Sequence, residues 1–61
     1  MDNINVRVGV AIYESRFSKG EIADEIGIKR DTFYHWFLKD LTPIQENVIL
    51  NAIQRLKEKE G

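Results

Sequence analysis

Apolar residues at Ile22, Ala23 and Ile26, then at Phe33, Trp36 and Phe37, recur at intervals of three and four, with Ile28 between the two sets. That rhythm, interrupted at Gly27, predicts two short helices joined by a tight turn within residues 18–38. A small residue at Ala23 lets the second of these helices approach the first, and Gly27 sits where such a turn needs a positive φ, which glycine adopts without a Cβ penalty. Farther on, Ile44, Val48, Ile49, Ala52, Ile53 and Leu56 share one helical face, with Leu50 outside it. The opening stretch is ambiguous. Ile4, Val6, Val8, Val10 and Ile12 alternate as in a strand, yet a helix from Asn3 to Ser15 also fits. As a helix it has two apolar sides, Ile4, Val8, Ala11 and Ile12 on one and Val6, Val10, Tyr13 and Phe17 on the other. A short edge strand is the alternative.

Capping signals set the boundaries. Ser18 with Glu21 three residues on forms a capping box, and Phe17 with Ile22 has the spacing of a hydrophobic staple. The next helix begins near Lys29, with Asp31 in its first turn to suit the helix dipole, and runs to about Leu38. Thr42-Pro43-Ile44-Gln45 opens the last helix with a cap, a proline at the first helical position and a glutamine to close the box. The charged tail from Lys57 to Gly61 is expected to fray. The reading is an all-α class: a small four-helix domain, residues 1–61, containing a helix-turn-helix.

Length and composition narrow the classes. Sixty-one residues make one small domain, and a chain of that size buries only about 60% of the surface its unfolded form exposes. With 43% hydrophobic and 31% charged residues the composition is that of a globular chain, not a disordered one. The absence of cysteine excludes disulfides and thiolate metal sites and fits a reducing cytoplasm. No apolar run approaches the roughly 18 residues of a membrane span. The opening Met1 suits a whole small gene product. The net charge of −1 is not the basic footprint usual for nucleic-acid binding. Its distribution matters more: residues 29–39 carry +2, whereas residues 1–28 carry −2 and residues 40–61 carry −1.

A helix-turn-helix commonly places its second helix in a DNA major groove. On that reading Lys29, Arg30, Asp31, Thr32, Tyr34 and His35 are the candidate contacts. Arg30 has the fork that pairs with guanine O6 and N7, and Asp31 could accept from a cytosine amino group. Tyr34 and His35 suit phosphates or thymine methyls. Ser18, Lys19 and the amides that open the second helix suit phosphate, and Lys39 could reach the backbone from the far end. Each has a plainer reading. The basic residues could solvate an exposed face, Asp31 could serve only the dipole, and Tyr34 could pack on the fourth helix. Phe33, Trp36 and Phe37 read as core. His35 is the only histidine, so one chain cannot build a multi-histidine metal site.

From Ser18 to Pro43 the chain resembles the helix-turn-helix of Cro/C1-type phage repressors and their bacterial relatives. Ile22-Ala23, Gly27-Ile28, Phe33 and Trp36 match that core pattern, Phe17-Ser18-Lys19 is similar to its apolar-Ser-Gln lead-in, and Pro43 stands where a proline often precedes the next helix. Lys29 and Lys39 depart from it, standing where Ser or Thr and Gly are frequent. Separately, Gly27 to Phe37 is similar to the recognition helix of tetracycline-repressor-type regulators, which carry a large ligand-binding domain as well. The resemblance implies a lambda-repressor-like fold and a phage or prophage repressor that occupies a double-stranded DNA operator.

The expectation is therefore a cytoplasmic, sequence-specific transcriptional regulator without cofactor or small-molecule ligand. It would act as a homodimer, completed on DNA, through Val6, Val10, Tyr13, Leu50 and Ile53. Nothing places Ser18, His35 and a carboxylate as a triad, and four short helices leave little room for a pocket of about 300 Å³. The rival reading is a protein-interaction module, an antirepressor or adaptor that keeps the helix-turn-helix shape without binding DNA. Near-neutral charge and the two-sided first helix favour it.

Overall fold

The computed structural model describes residues 3–60 and is all-helical, with α1 (Ile4–Ser15), α2 (Lys19–Ile26), α3 (Arg30–Trp36) and α4 (Pro43–Glu60). The first segment is a helix, because only that conformation pairs its backbone groups within the segment and collects Val8 and Ile12 on one side. The Asn3 side chain caps it by accepting from the Val6 N–H at 2.8 Å. At its other end Arg16 adopts a left-handed φ of 68°, a conformation usually left to glycine. Ser15 secures that turn: its hydroxyl donates to Ile12 O at 2.6 Å and accepts from the Phe17 N–H at 3.1 Å.

The longest helix, α4, packs against both α1 and α2, and α2 carries α3. Val8, Ile12, Ile22, Ala23, Phe33, Leu41, Ile49, Ala52 and Ile53 form the buried core. Ala23 is fully buried, as a close approach of two helices requires. Ile4, Ala11, Phe17, Ile26, Ile28, Trp36, Phe37 and Leu56 pack around this core while keeping part of their surface exposed.

Several expectations change. Ile53 is only 5% exposed and belongs to the monomer's core, so it offers nothing to a second chain. Trp36 and Phe37 are half-buried at the rim, not enclosed. Ile44, placed by spacing on the apolar face of α4, is 75% exposed in its first turn. Leu41, in the preceding loop, fills the core instead. Asn5 holds that loop: its side-chain amide donates to Lys39 O at 3.0 Å and accepts from the Leu41 N–H at 2.7 Å. The tail does not fray after Leu56 but stays helical through Glu60, because Arg55 and Lys59 reach Glu25 of α2 at 3.0 and 2.6 Å. Gly61 lies outside the described residues. Among the described residues no helix is long and apolar enough to cross a membrane.

Candidate functional site

The α2–turn–α3 unit is built by local chemistry. Ser18 Oγ accepts from the Glu21 N–H at 3.0 Å, and the Glu21 carboxylate accepts from the Ser18 N–H at 2.9 Å. Gly27 closes α2 with φ 94°, its N–H donating to Ala23 O at 2.9 Å. Ile28 donates to the same carbonyl at 3.1 Å, and Lys29 begins α3 without a side-chain cap. Helical bonding ends at Trp36, and Phe37 and Leu38 complete a turn by donating to Tyr34 O and His35 O. The reciprocal box has a consequence for Ser18. Two of the backbone amides expected to meet a phosphate are already bonded, and the Glu21 carboxylate sits beside them.

Phe33 is the inward anchor of α3, with no exposed surface and its ring 5.8 Å from that of Trp36 and 5.2 Å from that of Phe37. The rest of α3 divides into two flanks and an outer face. On the α2 flank, Lys19 Nζ lies 5.8 Å from the Tyr34 ring centroid and 5.0 Å from that of Phe37. Tyr34 is 47% exposed and meets Lys19 of α2 in this way. Arg30 is on the same flank, 3.6 Å from the Asp24 carboxylate. Asp31, His35 and Leu38, at spacings of four and three, share the outer face, and Leu38 is 78% exposed.

On the other flank, an open cleft of about 510 Å³ runs between the end of α3 and the start of α4. Thr32, His35, Trp36, Lys39, Asp40 and Gln45 are among the residues lining it. Such a volume was not expected of four short helices. Leu38, Lys39 and Asp40 beside it are exposed, whereas Leu41 is buried in the core. Capping ties down Thr42 and Gln45 at its edge: Thr42 N–H donates to Gln45 Oε1 at 3.0 Å, and Gln45 N–H donates to Thr42 Oγ1 at 3.1 Å.

Lys19, Arg30 and Tyr34 are thus brought together on one flank and Thr32 and Lys39 on the other, with Asp31 and His35 on the face between them, His35 at the rim of the cleft, and Lys29 exposed at the turn. Gly20, Asp24 and Leu38 were missed. Exposed Leu38 at the end of an otherwise polar face carried the only sequence signal. Among the described residues no cluster of three or more His, Cys, Asp or Glu side chains could hold a metal ion. Comparison of the chain with protein-family models, curated proteins and solved structures gave no match.

Proposed function

We propose that this chain is a sequence-specific DNA-binding transcriptional regulator of the phage-repressor kind, acting by operator occupancy. One observation carries the reading: α3 is anchored by Phe33, with Trp36 half-buried beside it, and leaves Arg30, Asp31, Thr32, Tyr34 and His35 exposed. The seven-residue α3 has the diameter of any α-helix, about 10–12 Å with side chains, which a major groove about 12 Å wide admits. Arg30 reads guanine through its fork, Tyr34 and His35 touch phosphate or a thymine methyl, and Lys19, Lys29 and Lys39 face the sugar-phosphate backbone. Ser18 contributes only its hydroxyl proton, since its oxygen already serves the cap. The acidic remainder of the chain orients the molecule by repelling DNA from its other faces. No catalysis and no cofactor enter this mechanism.

A second reading, an adaptor that binds protein instead of DNA, is favoured by Val6, Val10 and Tyr13, which are 52%, 50% and 85% exposed on α1. Selection from a random duplex library followed by gel-shift titration separates the two. A DNA reader enriches a defined sequence, and log affinity falls with log salt at a slope of roughly −3 per chain for three or four neutralised phosphates. Arg30→Ala and Tyr34→Ala should keep the helical circular dichroism and weaken binding, Arg30→Ala by about 1–3 kcal/mol with loss of preference at one base pair. Failure to enrich any sequence, with no retention on DNA at low salt, would leave the adaptor reading in place.

A further inference from the structure

Gly20 lies in the first turn of α2 and is buried, and what covers it is the end of the Arg30 side chain. A methyl group built on Gly20 would stand 2.7 Å from Arg30 Nε and 2.8 Å from Cζ, closer than side chains tolerate, and 3.2 Å from one terminal nitrogen. The guanidinium therefore occupies the space a side chain would take at residue 20. One of its terminal nitrogens lies 3.6 Å from Asp24 Oδ2, one helical turn farther along α2. Arg30 and Asp24 side chains are 63% and 67% exposed, so the ion pair alone is weak. Flat contact with glycine supplies the shape that the charge pair lacks.

We propose that Gly20 and Asp24 form a seat that positions the Arg30 guanidinium before DNA arrives, and that this seat sets base discrimination at the Arg30 contact. The inference rests on the DNA-binding reading above. An arginine free to sample its rotamers must be ordered on binding, at a cost of about 0.5–1.5 kcal/mol for such a side chain, or a two- to tenfold loss of affinity. A seated one has met most of that cost in folding. Asp24 leaves part of the donor fork open to solvent, and as an acid beside the contact it disfavours phosphate and any arrangement that strips Arg30 from its partner. Gly20 and Asp24 are positioning residues in this scheme, and neither has to touch a base.

Gly20→Ala is the informative variant, because the three atoms nearest the added methyl all belong to the flexible end of Arg30. Alanine also favours helix over glycine. The variant should fold with an unchanged or raised Tm, yet lose two- to tenfold in affinity for the selected site, with the loss confined to discrimination at the base pair that Arg30→Ala identifies. In the Arg30→Ala background the same change should have no further effect on binding. Asp24→Asn should bind random duplex more tightly while discriminating less. In the free protein, the Arg30 Nε–H resonance should be ordered in the wild type and become mobile in both variants. Equal mobility of that resonance in wild type and Gly20→Ala overturns the seat, as does a Gly20→Ala loss that persists at full size without Arg30. If Arg30→Ala leaves base discrimination intact while the resonance behaves as expected, the seat stands as structure and the role of Arg30 in reading DNA fails.

Discussion

Phe33 and Trp36 are three residues apart on the same helix, and their different surroundings predict different tolerance of truncation. Phe33 has no exposed surface, whereas Trp36 leans on it at 53° and opens on the cleft. Phe33→Ala should cost about 3–5 kcal/mol, which is all that a core of this size commonly supplies, and should abolish the cooperative thermal transition. Trp36→Ala should cost about 2 kcal/mol and leave a folded domain with Tm lowered by roughly 8–16 °C. Circular dichroism melts of the two variants give the comparison, and equal destabilisation would place both rings in one enclosed core. Both residues read alike in the sequence, because apolar spacing reports the side of a helix and not how far that side is covered. Gly27 and the Ser18–Glu21 box were legible because their partners lie within four residues. Leu41 in the core and Arg30 against Gly20 depend on elements that meet only after folding. Arg16 in a left-handed turn was invisible for another reason: it is not the glycine that usually marks a positive φ, and the Ser15 hydrogen bonds hold the turn around it.

The elements themselves were legible in proportion to their caps. The helices opened by capping boxes, α2 and α4, start where those boxes place them, whereas the alternating pattern of α1 left helix and strand open. The end of α4 could not be read locally, because Lys57-Glu58-Lys59-Glu60 carries no apolar signal and its order comes from α2. Arg55 and Lys59, four apart on α4, converge on Glu25, whose side chain is 12% exposed. The hydrogen bond from Lys59, and then that from Arg55, holds the Glu25 carboxyl below its ordinary value of 4.5. A depressed folded-state value means that the ionised form belongs to the folded chain. The stabilisation is complete above the ordinary carboxylate value and is lost as pH falls through the lowered one. Glu25→Gln should therefore lower Tm at pH 6, and the gap from wild type should close as the pH is brought below 4.5. Melting curves that stay equally separated down to pH 2.5 would show that the carboxylate's charge contributes nothing to α2–α4 docking.

At the scale of the whole molecule, α1 has an inward face of Val8 and Ile12 and an outward one of Val6, Val10 and Tyr13. The fold class was legible because binary pattern and caps agree along most of the chain. The partner was not, because an outward apolar face states that something can cover it without stating what. The proposed operator function supplies the reason for a second copy: a single module of this kind buries only about 600–1,000 Å² of protein surface on DNA, and specificity grows when two copies read half-sites about one helical turn apart. With Ile53 committed to the core, the surface left for pairing is Val6, Val10 and Tyr13, with Leu50 39% exposed on α4. Those few side chains fall short of the roughly 1,200 Å² of a stable interface, so the free protein should sediment as a monomer at micromolar concentration and pair on a palindromic operator. Val10→Glu retains the helix, since Val10 is half-exposed and away from Val8 and Ile12. It should leave binding of the first chain unchanged while abolishing cooperative binding of the second. Analytical ultracentrifugation with the operator reads both quantities. One wild-type chain per palindrome at saturation, or cooperativity that survives Val10→Glu, would remove α1 as the pairing surface.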